Sequence, residues 1–170
     1  MSIWIWHHEH WAVMPWTLWT AAWVHLSSAH ALVNLVALAC LWVLGRVWSL
    51  GTPTLGACMA AWPLSLATLA FWPTVDTYVG LSGPLHGVAV ILVVHRLRAI
   101  WPQLRPEGYG ALALALGLSA KLAWEAAWRQ PVAWDADWGF PVVYAAHLSG
   151  ALMGGLCALV IAPARKVRPQ

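Results

Sequence analysis

The chain has 170 residues, of which 61% are hydrophobic and 9% are charged, with fifteen tryptophans and a formal net charge of +3 at pH 7. A soluble domain of this size does not need so much apolar surface, and basic residues divided among segment ends argue against nucleic-acid binding. The mean hydropathy of +0.67 therefore predicts a protein of the lipid bilayer.

The apolar runs predict an all-α fold, a polytopic bundle of about five membrane-crossing helices. They cover approximately residues 28–48, 55–73, 80–100, 109–128 and 140–162. Each is near the roughly 20 residues that a helix needs to cross the hydrocarbon core. Short joints rich in Gly, Pro and polar residues separate the runs. We expect one membrane domain at 25–162, preceded by an N-terminal segment at 1–24 and followed by a basic cytoplasmic tail at 163–170.

The N-terminal segment is apolar but interrupted. His7, His8, Glu9, His10 and Pro15 leave no uninterrupted apolar run there long enough to span a bilayer. A segment of this kind is predicted to lie in the membrane interface.

Two polar side chains open the first apolar run. His30 and Asn34 are four residues apart, so on a helix they share one face. An imidazole and an amide aimed the same way are suitable donors for a developing oxyanion, and they are stronger donors where water is excluded. The alternative is a pair of residues that form hydrogen bonds between helices.

A serine opens the third run, and a histidine lies in the fifth. Ser82 lies between Gly80 and Gly83, and His147 is followed by glycines. Polar residues within apolar segments favour a functional interpretation. Serine attacks a carbonyl only when a base removes its proton, and histidine suits that task near neutral pH. Ser82 and His147 are therefore predicted to form an intramembrane nucleophile and base.

The glycines around these two residues favour close backbone approach. Gly80 and Gly83 allow a tight turn beside Ser82. Gly150 and Gly154 leave one face of the last helix nearly bare, so that a neighbouring helix can approach it.

The fourth run carries two charged residues, Lys121 and Glu125, at helical spacing. We expect them to face the protein interior as a structural pair in preference to a substrate contact. Elsewhere, the sequence offers no obvious acid to orient His147, and a Ser-His dyad is predicted instead of a three-member arrangement.

Charge placement predicts the orientation in the membrane. If the five runs alternate, seven of the nine basic residues fall on one side, namely Arg46, Arg96, Arg98, Arg105, Arg165, Lys166 and Arg168. Basic residues near helix ends stay on the cytoplasmic side. The loops before Ser82 and His147, and also His25, are then expected to face the extracytoplasmic space.

Cysteine and histidine provide little evidence for a cofactor. Cys40, Cys58 and Cys157 all lie within apolar runs and lack metal-ligand spacing, so we expect no metal and no cofactor. The alternative is a haem held between helices by axial histidines, with His30, His86 or His147 as ligands.

The spacing His-x4-His-x3-Asn (His25, His30, Asn34), the Gly-x-Ser-Gly turn (Gly80, Ser82, Gly83) and the Ala-His-x2-Gly-x3-Gly helix (His147, Gly150, Gly154) occur in that order. Together they resemble the rhomboid family of intramembrane serine proteases over approximately residues 16–161. The resemblance implies a rhomboid fold with Ser82 as nucleophile and His147 as base. It further implies an oxyanion hole of His30, Asn34 and the Ser82 N–H, with His25 as a supporting residue at a water-filled entrance.

A finer resemblance concerns residues 80–87, Gly-Leu-Ser-Gly-Pro-Leu-His-Gly, which place His86 four residues after Ser82. This is similar to the rhombosortase branch. The stretches 16–27, 61–64 and 121–125 also look like that branch. It implies cleavage of membrane-anchored bacterial proteins at a C-terminal glycine-glycine sorting tail (GlyGly-CTERM). It also implies a place in the inner membrane with the active site facing the periplasm.

A difference in helix number and two alternatives accompany this resemblance. Rhomboid cores are expected to have six crossing helices, so the first is missing here; either the true start lies upstream or the lineage lacks it. The chain could instead be a general rhomboid protease of other transmembrane substrates, or a noncatalytic relative that binds clients. Such relatives usually lack the Ser or the His.

Overall fold

The fold is a bundle of helices supplemented by two short strand pairs. In a computed structural model, described for residues 2–49, 51–100 and 106–161, five long helices occupy the five apolar runs. The prediction of an all-α membrane bundle is therefore confirmed at the level of architecture. The expected tail at 163–170 lies outside the described residues, as do Arg105, Arg165, Lys166 and Arg168.

The elements follow one another in this order. The N-terminal part contains β1 (Trp6–His7), α1 (Thr17–Thr20) and a 3-10 turn (Ala21–Trp23). The first half of the bundle contains α2 (Ser28–Val47), α3 (Thr52–Ala67) with a 3-10 extension (Thr68–Phe71), β2 (Thr77–Tyr78) and α4 (Ser82–Ile100). The second half contains a 3-10 turn (Pro106–Gly108), α5 (Tyr109–Glu125), β3 (Ala133–Asp135), β4 (Phe140–Val142) and α6 (Tyr144–Val160).

Local chemistry explains the helix boundaries. The Ser27 side chain accepts a hydrogen bond from the His30 N–H at 3.1 Å and so caps α2. Pro53 lies in the first turn of α3, where a missing N–H does no harm, so this helix begins before the predicted apolar run. Ala126 adopts a left-handed conformation with φ of 45° and ends α5 at Glu125, three residues before the predicted end.

The outer surface of the bundle is apolar, as lipid requires. Among the described residues, three helices are long and apolar enough to cross a membrane: Ser28–Val47, Thr52–Phe71 and Ser82–Ile100. The helices α5 and α6 have 17 residues each, about 26 Å at 1.5 Å per residue, close to the ~30 Å hydrocarbon core. The only buried residue of α2 is the polar Asn34, while large apolar side chains of this helix, such as Leu32 and Val36, are exposed.

Glycines form the contact between α4 and α6. A Cβ at Gly87 would lie 2.9 Å from the Gly150 carbonyl oxygen. A Cβ at Gly150 would overlap the Gly83 carbonyl oxygen, and one at Gly154 would overlap the Gly87 backbone. Small residues permit this backbone-to-backbone approach between membrane helices. We call Gly83, Gly87, Gly150 and Gly154 the glycine seam.

Three of the helices run in the same direction. Gly45, near the end of α2, faces Leu92 of α4, and Arg98, near the end of α4, donates a hydrogen bond to the Ala158 carbonyl of α6 at 3.3 Å. The first turns of α2, α4 and α6 therefore meet at the opposite end of the bundle. Those turns carry His30, Ser82 and His147.

The N-terminal segment packs against the loop that precedes Ser82. In the antiparallel β1–β2 pair, Trp6 lies opposite Tyr78, and the Trp6 side chain is completely buried. Nearby, the Gly80 N–H donates to the Ala21 carbonyl at 2.9 Å. Residues 6–21 thus fix the position of the loop that leads into α4.

Candidate active site

Ser82 and His147 meet at the start of two adjacent helices. Ser82 is the first residue of α4, and His147 lies in the first turn of α6. The Ser82 Oγ is 3.0 Å from His147 Nε2, although the two residues are 65 positions apart in the chain. This is hydrogen-bonding distance for a nucleophile and its base. The glycine seam makes the contact possible because it brings the two helix backbones together.

Gly80 meets a steric requirement in the loop before Ser82. Its φ of +109° is a conformation that side chains disfavour. A Cβ at this position would also lie 2.9 Å from His30 Cε1. The absent side chain therefore lets the His30 ring lie directly against the loop.

The proposed oxyanion donors line the same cavity as Ser82. His30 and Asn34 lie on the cavity side of α2. The amide nitrogen of Asn34 is buried and has no hydrogen-bond partner within the described residues. Ser82 begins a helix, so its N–H has no acceptor one turn earlier, and the helix dipole favours negative charge nearby. Unpaired donors at this point are suited to an incoming anionic oxygen.

His25 lies behind His30. Its Nδ1 is 3.1 Å from the Trp23 carbonyl oxygen, and its ring packs edge-on against His30 with centroids 4.9 Å apart. His25 does not line the cavity. Its contacts orient the His30 ring without reaching Ser82.

His86 stacks on His147. The two rings are nearly parallel, with centroids 4.3 Å apart and an angle of 17° between planes. His86 Nδ1 donates to the Ser82 carbonyl oxygen at 2.7 Å. His86 therefore contacts His147 by ring stacking.

Glu125 requires a correction to the sequence analysis. The two residues Lys121 and Glu125 do form an ion pair, as expected. However, the Glu125 carboxylate oxygens also lie 2.9 and 3.0 Å from His147 Nδ1. An acid therefore lies within hydrogen-bonding distance of His147, where the sequence analysis expected none. The four-residue spacing already gives each of Lys121 and Glu125 an oppositely charged partner on the same helix. The sequence therefore did not indicate that Glu125 also contacts a residue of α6.

Tyr78 is a second residue that sequence reasoning missed. Its hydroxyl accepts a hydrogen bond from the Gly83 N–H at 2.9 Å and lies 3.5 Å from Ser82 Oγ. Burial raises the pKa of Tyr78, so the hydroxyl stays protonated at neutral pH and can donate toward Ser82. The sequence indicated only that Tyr78 lies four residues before Ser82, and this spacing alone is weak evidence for a contact between them.

The site opens into a cavity of about 890 Å³. Apolar side chains from α2, α4, α5 and the β3–β4 hairpin line most of it. From this hairpin, Trp138 and Phe140 pack on the His30 ring with centroids 5.8 and 5.3 Å away. The cavity is large enough for several side chains of an extended peptide.

One cluster in the described part of the chain has donor atoms suited to a metal ion. Single donor atoms of His86, Glu125 and His147 lie within 4.8 Å of one another. The Lys121 ammonium competes for the same carboxylate and is 3.4 Å from His147 Nδ1. A cation would therefore have to displace or overcome a positive charge already in place.

Comparison with known proteins gives one match. A family model described as Rhomboid domain matches residues 12–164, which is most of the chain. No curated protein and no solved structure gave a significant match.

Proposed function

The chain belongs to the rhomboid family of intramembrane serine proteases, and we propose that it is an active peptidase with Ser82 as nucleophile and His147 as general base. The observation that carries this proposal is the 3.0 Å separation of Ser82 Oγ and His147 Nε2. Both side chains face a cavity within the membrane bundle that could admit a peptide.

The reaction follows from this pair. His147 Nε2 takes the Ser82 proton while Oγ attacks the scissile carbonyl carbon and forms a tetrahedral intermediate. The C–N bond then breaks, and His147 gives its proton to the leaving amine. Water attacks the acyl-enzyme in a second round with His147 again as base, which releases the acid and restores Ser82.

The oxyanion of the intermediate would be held by three donors. They are the Asn34 amide, the His30 imidazole and the Ser82 N–H at the start of α4. This assignment is supported by the buried Asn34 amide nitrogen, which has no other partner within the described residues. His25 and Gly80 would keep the His30 ring in place, and the glycine seam would keep the two helices together.

We propose membrane-anchored proteins with a C-terminal glycine-glycine sorting tail as the substrates, as in the rhombosortase branch. The support is the sequence from Gly80 to Gly87, in which His86 follows Ser82 by one helical turn and stacks on His147. A small-residue cleavage site would fit in a cavity that Ser82 shares with the rings of His86, His30 and Phe140. A general rhomboid protease of other transmembrane substrates is the alternative.

The proposed location is the bacterial inner membrane, with the active site facing the periplasm. Arg46, Arg96 and Arg98 lie near the ends of α2 and α4, and Asp135 and Asp137 lie near the opposite end, in the hairpin region. Basic residues favour the cytoplasmic side. A membrane-impermeant maleimide should label an Asp137→Cys variant in spheroplasts and leave an Arg46→Cys variant unlabelled. The reverse pattern would contradict this orientation.

The activity can be tested without knowledge of the substrate. The purified full chain in detergent should react covalently with a fluorescent fluorophosphonate, because the probe requires an activated serine. Ser82→Ala should abolish labelling, whereas Ser119→Ala, which removes an exposed serine of α5, should leave it intact. Absence of labelling in the folded wild-type protein would favour the noncatalytic client-binding alternative. A Soret band in the purified protein would favour haem.

The substrate class needs a separate test. A reporter carrying a glycine-glycine, apolar, basic C-terminal tail should be cleaved by the wild-type protein and by neither Ser82→Ala nor His147→Ala. A matched reporter with the two glycines replaced by valines should resist cleavage. Equal cleavage of both reporters would support a general rhomboid protease instead.

A further inference from the structure

The Glu125 carboxylate faces the side of the His147 ring that Ser82 does not occupy. Its two oxygens lie 3.0 and 2.9 Å from His147 Nδ1, while Ser82 Oγ lies 3.0 Å from Nε2. We propose that Glu125 is a positioning residue that completes a Ser82–His147–Glu125 triad. This inference rests on the proposed protease function and deepens it.

The geometry determines what the carboxylate would do. An ionised carboxylate only accepts hydrogen bonds, so His147 Nδ1 must be the protonated nitrogen. That tautomer leaves a lone pair on Nε2, directed at the Ser82 hydroxyl. When Nε2 takes the Ser82 proton, the ring becomes an imidazolium that the carboxylate stabilises. Glu125 remains ionised throughout, and the proton leaves His147 with the departing amine.

Burial distinguishes this role from a simple ion pair. The side chains of Glu125 and His147 are 8% and 7% exposed, whereas Lys121 is 46% exposed. A carboxylate that paired only with Lys121 could do so near the surface, where its desolvation costs less free energy. Glu125 instead turns inward, so that both of its oxygens reach the imidazole.

Lys121 would support this arrangement from one helical turn away. Its ammonium pairs with Glu125 Oε1 and lies 3.4 Å from His147 Nδ1. The positive charge favours the ionised form of the carboxylate in a site of low polarity. The end of α5 at Glu125, imposed by the left-handed Ala126, places the carboxylate at the level of His147.

The test uses the rate constant of fluorophosphonate inactivation at saturating probe, kinact, and the half-saturating concentration, KI. Glu125→Gln should lower kinact by about 10²- to 10⁴-fold, because the tautomer and the imidazolium both lose their partner. KI should stay close to the wild-type value, because Glu125 does not touch the probe. The control is Glu9→Gln, which removes the same charge from an exposed residue of the N-terminal segment and should leave kinact unchanged.

Two further variants separate positioning from structure. Lys121→Gln should lower kinact far less than Glu125→Gln, since His147 keeps its acceptor. Glu125→Asp retains a carboxylate and should react faster than Glu125→Gln, which gives a comparison even if the amide variant folds poorly. Equal losses in Lys121→Gln and Glu125→Gln would assign Glu125 to a structural ion pair and overturn the inference. Wild-type kinact in Glu125→Gln would also overturn it.

The outcomes also separate this inference from the proposed function. Labelling of the wild-type protein that Ser82→Ala abolishes establishes the nucleophile whatever Glu125 does. If the wild-type protein is labelled and Glu125→Gln is equally fast, the protease is a dyad enzyme and only the triad is refuted. If the folded wild-type protein is not labelled, both proposals fail.

Discussion

Replacement of Gly150 by alanine tests whether the glycine seam controls the catalytic geometry. The new Cβ would overlap the Gly83 carbonyl oxygen of α4, one residue after Ser82. Backbone cannot rotate away as a flexible side chain can. Because a Cβ atom essentially never comes within 3.0 Å of another heavy atom, the helices must separate by on the order of 1 Å.

This displacement should affect both stability and rate. Overpacking of a close contact costs about 1–3 kcal/mol of unfolding free energy. His147 lies one turn before Gly150, so the Ser82–His147 contact opens with the helices, and a 1 Å misplacement costs about 10²-fold in rate. We therefore expect Gly150→Ala to be folded but destabilised by denaturant titration in detergent, with kinact for the fluorophosphonate about 10²-fold lower.

The matched control lies on the same helix. A Cβ at Gly155 would be 3.7 Å from Val90 Cγ1, which is ordinary contact. Gly155→Ala should therefore keep the wild-type rate and gain up to about 1 kcal/mol in stability from helix propensity. Wild-type stability and rate in Gly150→Ala would refute the argument that the seam sets the distance between Ser82 and His147.

Two other substitutions test individual polar groups. Asn34→Ala removes one of the three proposed oxyanion donors and should lower kinact about 10²- to 10³-fold while leaving measurable labelling. Labelling as low as in Ser82→Ala would show that Asn34 does more than donate to the oxyanion. Tyr78→Phe leaves the buried Gly83 N–H without its acceptor and should cost about 1–3 kcal/mol of unfolding free energy in a denaturant titration. An unchanged midpoint would mean that another group, such as a water molecule, accepts that hydrogen bond.

Local sequence signals predict most of the bundle. Apolar runs give all five long helices because each must present a continuous apolar surface to lipid, and breakers such as Gly51 and Pro73 separate them. The ends are less predictable. Pro53 can lie in the first turn of a helix as readily as it can end one. The left-handed residue that ends α5 is Ala126, whereas a glycine, which would have predicted this helix end, is the usual residue there.

The missed parts of the site depend on contacts that are distant in sequence. Ser82 and His147 could be found because a hydroxyl and an imidazole in apolar runs are unusual. Glu125 could not be assigned to His147, since Lys121 at helical spacing already accounted for its charge. The β1–β2 pair joins two-residue strands about 70 positions apart, and such short segments carry no periodic pattern that would predict pairing.

The β1–β2 pair has a practical consequence for anyone who modifies the amino terminus. Trp6 is completely buried opposite Tyr78, and Tyr78 holds the first turn of α4 through the Gly83 N–H. An affinity tag or a protease that displaces Trp6 would thus weaken the contacts that hold Ser82, the proposed nucleophile, in place. Purification tags are better attached at the carboxyl end. If an amino-terminally shortened preparation loses activity, displacement of Ser82 is a sufficient explanation, without any change in the side chains that line the cavity.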